Sequence, residues 1–169
     1  YKDNIVYGID PHDRSHGLII TDNTVYGTKK KHGIIISREV NDSFIFNNRS
    51  YDNKLSGLVI DRNSVNNLIA DNEIYRNHTD GITLYESGDN LLWGNKVISN
   101  RRHGIRVRNS VKIRLYDNVA MATGLPGVYG HLQDLTAPDR AMALAPFAPQ
   151  VPLTVGGAEL GAHGAGPRS

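Results

Sequence analysis

The sequence predicts a stacked, all-β solenoid, and three observations carry that expectation. Gly-aliphatic pairs recur at Gly8-Ile9, Gly33-Ile34, Gly57-Leu58, Gly81-Ile82, Gly104-Ile105 and Gly127-Val128, in steps of 25, 24, 24, 23 and 23 residues. Asn23, Asn48, Asn72, Asn95 and Asn118 keep the same beat, each closing a short apolar run. The repeat is rich in Gly, Asn and β-branched residues and lacks the i, i+3, i+4 spacing of an amphipathic helix. Leucine-rich repeats share the period but not these residues.

Each unit can be taken in order from its glycine. The first residue after it (Ile9, Ile34, Leu58, Ile82, Ile105, Val128) and the third (Pro11, Ile36, Ile60, Leu84, Val107, Gly130) are predicted to face inward. Side chains alternate along a strand, so two other columns are predicted to face out: Asp10, Ile35, Val59, Thr83, Arg106 and Tyr129, then His12, Ser37, Asp61, Tyr85, Arg108 and His131. The fifth position holds Asp13, Arg38, Arg62, Glu86, Asn109 and Leu132. Alternation would turn it inward, yet five of the six are polar, so the strand is expected to have turned there.

A second strand per coil is expected to end at the marker Asn, with Ile20, Ile45, Ile69, Leu92 and Leu115 stacked inside. Like on like at the ~4.8 Å spacing of parallel strands describes a parallel β-helix, in which each coil buries its apolar face by stacking on the next. Each buried aliphatic contributes roughly 1.5 to 3 kcal/mol. The marker Asn residues are expected to form a turn ladder, amide bonded to amide from coil to coil. About five coils occupy residues 1–133, and the Ala/Pro/Gly-rich stretch 134–169 is expected to be irregular, with strand fragments at most. Tyr1 begins inside a repeating unit, so the chain reads as a piece of a longer protein with an open strand edge at its start.

Composition excludes several classes of chemistry. The chain has 169 residues, a formal charge of +2 and no Cys, which rules out disulfides and thiolate metal sites. No apolar run approaches the ~18 residues of a membrane span, and no signal peptide is present. HExxH, P-loop, G-x-S-x-G and EF-hand patterns are absent. A charge of +2 gives no argument for nucleic acid, and the shortage of groove aromatics disfavours single strands, which need stacking platforms.

The outward columns make one face a polar strip, and its densest stretch is Gly8-Ile9-Asp10-Pro11-His12-Asp13. His12 is predicted to be a general base, with Asp10 and Asp13 near enough to orient it. Arg38 lies one coil on and one residue along, roughly 6 Å away between Cα atoms on strand spacing alone. Such a pair could hold the C5 proton and the carboxylate of one uronate sugar, the guanidinium absorbing charge that develops in the transition state. Asp61, Arg62, Tyr85, Arg106, Arg108 and His131 continue the strip as substrate-binding candidates. Lys29, Lys30, Lys31, Lys54, Arg76, His78, Arg101 and Arg102, in the turn before each glycine, are expected to form a cationic rail, with Lys30 and Lys31 counted as substrate contacts. His32 and His103 are expected to be surface or turn residues. Asp10, Asp13 and Asp61 could be considered for calcium, but the surrounding cations argue against it. On residues alone, a polyuronate epimerase, a lyase sharing its first step and a non-catalytic polyanion-binding solenoid all remain open.

With those residues in view, the chain resembles the periplasmic mannuronan C5-epimerases of alginate-producing bacteria, which are right-handed parallel β-helix enzymes. The family's Asp-Pro-His-Asp signature stands here as Asp10-Pro11-His12-Asp13, and the coils from Val6-Tyr7-Gly8 through Gly127-Val128-Tyr129-Gly130-His131 read like the family. The resemblance implies that His12 removes the C5 proton and that Arg38, in Ser37-Arg38-Glu39, neutralises the substrate carboxylate. It further implies action on polymeric mannuronate without a metal or other cofactor, in the periplasm, alongside proteins of an alginate export complex.

Overall fold

The computed structural model describes residues 1–121 and 123–130, together with 154–155 and 158–159. His131, Leu132, Gln133 and most of the stretch 134–169 lie outside the described residues.

The strands stack into three sheets. The first is built from β1 (Ile19–Thr21), β4 (Phe44–Phe46), β7 (Leu68–Ala70), β10 (Leu91–Trp93) and β13 (Arg114–Tyr116). The second contains β2 (Thr24–Tyr26), β5 (Arg49–Tyr51), β8 (Glu73–Tyr75), β11 (Lys96–Ile98) and β14 (Val119–Met121), then β16 (Thr154–Val155) and β17 (Ala158–Glu159). The third, which carries the polar strip, holds β3 (Ile34–Ser37), β6 (Leu58–Asp61), β9 (Ile82–Tyr85), β12 (Ile105–Arg108) and β15 (Val128–Gly130). Neighbours are parallel throughout, apart from the antiparallel β16–β17 pair. The stretch from Ile9 to His12 joins the third sheet through bridges from Ile9 to Ile34 and His12 to Ser37.

The core follows from this register. Ile34, Leu58, Ile82 and Ile105 stack in one inward column, and Ile20, Ile45, Ile69, Leu92 and Leu115 stack in another, all buried. The marker glycines exist because the coil turns tightly here. A Cβ on Gly33 would meet Ser50 Oγ and come within 2.7 Å of Gly57 O, and one on Gly81 would come within 2.6 Å of Gly104 O, so a methyl group would push the coils apart.

The Asn ladder is present. Each amide donates to the next Oδ1, from Asn23 to Asn48 at 3.0 Å, Asn48 to Asn72 at 3.0 Å, Asn72 to Asn95 at 2.9 Å and Asn95 to Asn118 at 2.8 Å. The same Oδ1 atoms accept the backbone N–H of the preceding coil's Asn, so one side chain satisfies two buried donors. A second ladder, Asn53–Asn77–Asn100, turns the next corner.

The structure corrects one expectation: a coil has three strands, not two. The additional strand follows the marker Asn and has one inward residue, the column running Val25, Ser50, Ile74, Val97, Ala120. A three-residue strand with a single inward position, occupied in places by Ser or Ala, leaves no periodic apolar signal in the sequence.

Candidate active site

The third sheet presents the predicted outward columns on its exposed face, and a cleft of about 140 Å³ opens at its first two coils, lined by Tyr7, Asp10, His12, Ile35, Ser37, Arg38, Asp61 and Arg62. Ile35 and Val59 point outward yet are only 6% and 5% exposed, and they stand apart from the core cluster. Ile35 gives the cleft an apolar floor between polar walls.

Its fifth-position residues turn because the backbone is left-handed there, with φ of 58° at Asp13, 63° at Arg38, 53° at Arg62, 49° at Glu86 and 48° at Asn109. This conformation costs an ordinary side chain roughly 1 to 2 kcal/mol. It ends the strand and swings the fifth side chain to the rim of the groove instead of the core. Parallel stacking then places Asp13 beside Arg38.

The three charged groups form one unit. Asp13 Oδ2 is 2.6 Å from His12 Nδ1, and Asp13 Oδ1 accepts from Arg38 Nη1 at 3.2 Å. The Arg38 hydrogen bond is the main reason the Asp13 carboxyl lies below the ordinary carboxylate range, with His12 adding to it and desolvation opposing. An ionised Asp13 can only accept, so Nδ1 carries the imidazole proton and Nε2 keeps its lone pair. Arg38 gives Asp13 a single donor, from Nη1. Asp10 lines the same cleft without a direct contact to His12, and burial raises its pKa. Among the described residues, no three His, Cys, Asp or Glu side chains converge to hold a metal ion.

Asp61 and Arg62 also reach this cleft, as expected, with Arg62 Nε 3.5 Å from Asp61 Oδ2. Asp61 Oδ1 is buried without a partner, and burial raises the carboxyl pKa. Tyr85 and Arg108 lie further along the groove, the guanidinium 5.4 Å above the ring. Arg106 is in the same sheet, deeper in the wall. His131 lies outside the described residues.

The cationic rail is placed differently from the expectation of one continuous edge. Arg76 makes two hydrogen bonds to Asp52 and covers the Tyr51 and Tyr75 rings on the outer face of the second sheet. Lys29 is paired with Asp3, and neither Lys30 nor Lys31 lines the cleft. A turn residue's direction depends on the sheet it leaves, which spacing alone does not encode.

His32 and His103, expected to be surface or turn residues, both lie in the turn before the marker glycine but are not on the surface, His32 being half-buried and His103 buried. His103 is 6% exposed and bonded to Asp80, while burial lowers the pKa of His32 to about 4. Both occupy the column before the marker glycine, which sequence reasoning treated as a turn. The available signal was the one-period spacing of Asp80 and His103, an acid and a base on adjacent coils.

Stacked parallel coils, three sheets and an internal Asn ladder define the class to which this groove belongs. A family model described as the right handed beta helix region matches residues 4–134, and the chain belongs to that family. It is 82% identical over all 169 residues to a mannuronan C5-epimerase of Pseudomonas fluorescens, of which it spans 32%. A crystal structure of the periplasmic alginate epimerase AlgG superimposes with a TM-score of 0.77 at 78% identity, over 80% of this chain and 32% of that one. The A-module of the Azotobacter vinelandii mannuronan C-5 epimerase AlgE4 shares the fold, with a TM-score of 0.62 at 14% identity over 78% of this chain and 46% of that one. The chain thus spans about a third of the length of the curated relatives it matches.

Proposed function

We propose that this chain carries the catalytic groove of a mannuronan C5-epimerase, an isomerase that converts D-mannuronate to L-guluronate residues within the polymer. The observation that carries the reading is the His12–Asp13–Arg38 unit in one cleft, with a free imidazole nitrogen and unused guanidinium donors. Arg38 pairs the carboxylate of one uronate, which makes the neighbouring C5–H acidic enough to leave. His12 Nε2 takes that proton, and the negative charge moves onto the carboxylate oxygens held by Arg38. Reprotonation on the opposite face of C5 inverts the centre. Asp13 holds the tautomer and Asp10 completes the polar wall. Asp61, Arg62, Tyr85, Arg106 and Arg108 line the path of the polymer, with Lys30 and Lys31 as outer contacts.

The 82% identity to a named mannuronan C5-epimerase and the likeness to a periplasmic alginate epimerase support this function and a periplasmic location. Other proteins of an alginate export complex are the proposed partners. Residues 1–133 are proposed as the groove-bearing unit, which the family match over 4–134 supports, with 134–169 as its Ala/Pro/Gly-rich C-terminal segment.

Reaction of the full-length protein with mannuronan in heavy water tests the chemistry. Deuterium should appear at C5 of the guluronate product, whereas full retention of the original hydrogen would refute base abstraction. New unsaturated chain ends would instead identify a lyase, since epimerisation cuts no bond in the polymer backbone.

A further inference from the structure

Three coil steps beyond Arg38, the same groove holds a second charged cluster, in which Asp80 and His103 have no task in the mechanism above. Asp80 and His103 stand one coil apart in the column before the marker glycine and are 3% and 6% exposed. A carboxylate this deeply buried needs partners for both oxygens. Asp80 Oδ1 accepts from the His103 backbone N–H at 3.1 Å and lies 2.7 Å from His103 Nδ1, while Oδ2 lies 3.5 Å from Arg106 Nη1. The His103 ring stacks on Tyr129 with centroids 4.8 Å apart, which fixes its plane.

Arg106 is the second residue of β12, in the outward column of the groove sheet. Its guanidinium is braced by an ion pair from Nη1 to Asp80 at 3.5 Å, and its Nε is buried. The Arg106 side chain is 22% exposed, so part of a guanidinium braced by Asp80 still faces the groove, preorganised for a planar anion.

We propose that Arg106, positioned by the Asp80–His103 pair, is a distal carboxylate subsite that holds a uronate about three sugars along the chain from the reacting one. The groove would thereby favour long polymers over short oligomers. This rests on the polyuronate reading above. The register from Ile34 through Leu58 and Ile82 to Ile105 separates the coils of Arg38 and Arg106 by three steps, roughly 14 Å along the axis at strand spacing. An extended 1,4-linked uronan advances by about one strand spacing per sugar, so a chain lying along the solenoid meets about one coil per residue.

The test measures deuterium incorporation by the full-length protein on oligomannuronates of three to eight units. The parent's kcat/KM should rise about tenfold once the oligomer is long enough to reach Arg106, the scale of one charge-assisted hydrogen bond. In Arg106→Gln the ratio of octamer to trimer kcat/KM should collapse towards unity through a higher KM for the octamer. Asp80→Asn, which removes the brace but leaves Arg106 in place, should shrink the ratio in the same direction, also through KM. A merely structural role would slow turnover of every length alike, and an unchanged ratio in Arg106→Gln would overturn the subsite. So would a parent that shows no dependence on length. A parent inert on every oligomer and on the polymer would overturn the epimerase reading, and this subsite with it.

Discussion

At His12 the decisive point is which nitrogen is left free. Asp13 occupies Nδ1 and leaves Nε2 as the proposed base, so loss of the imidazole should act on the chemical step. His12→Ala should lower kcat by at least ~100-fold while polymer affinity changes little, measured by initial rates and equilibrium binding of mannuronan. Asp13→Asn keeps the shape but offers an amide that can also donate, which weakens the tautomer preference and releases Arg38. A fall in kcat of about 10- to 100-fold is expected there, smaller than for His12→Ala. His32 provides a pH test. Its Nδ1 accepts the Ser56 backbone N–H at 3.1 Å, and burial, helped by Lys31, lowers its pKa from 6.5 to about 4. Between those values the unfolded chain binds the extra proton and the folded chain does not, so this contribution to stability is lost as pH falls from 6.5 to about 4. The loss is up to about 3 kcal/mol. Urea midpoints at pH 7 and 4.5 should converge in His32→Gln relative to the parent.

At the scale of the element, the Asn ladder makes each coil depend on its neighbours. Asn72 is fully buried, and its Oδ1 serves both the backbone and the amide of Asn48 while its own amide reaches Ile45 O and Asn95 Oδ1. Truncation strands several of these groups at once, each costing about 1 to 3 kcal/mol if water cannot reach it. Asn72→Ala should therefore lower the urea midpoint far more than Asn23→Ala, where the bonds are only part-buried. Similar midpoints for the two would show that the ladder does not act as a stack. The tyrosine stack of Tyr26, Tyr51 and Tyr75 has a different use. The rings face one another at 4.9 and 4.8 Å, so these faces cover the sheet and are not available to a sugar ring.

For the whole molecule, one face of the solenoid carries the proposed chemistry and the others build it. Arg62 lines the cleft, whereas Arg76 is tied to Asp52 above the tyrosines of another sheet. Arg62→Gln should raise the KM for mannuronan several-fold, and the effect should shrink as salt screens the polyanion. Arg76→Gln should leave that KM within about twofold, because an exposed ion pair on another face contributes little to binding. Steady-state kinetics at low and high salt distinguish the two, and equal effects would place the polymer on a wider surface than the groove.

The sequence by itself determined the repeat, the inward aliphatic columns, the Asn ladder and the candidate base. Each is a fixed column of a one-dimensional stack, and parallel strands bring residues one period apart into contact, so spacing alone specifies the neighbours of Ile34, Asn48 and His12. Only the tertiary structure decided what happens at the corners. The strand after the marker Asn has too short a pattern to read, and the turn after it sends Arg76 over the tyrosines and buries His103 against Asp80. The reason is directional. A strand's period assigns each side chain to a face, but a corner residue takes its direction from a local backbone bend and from whichever sheet packs beside it, and neither is written in the period.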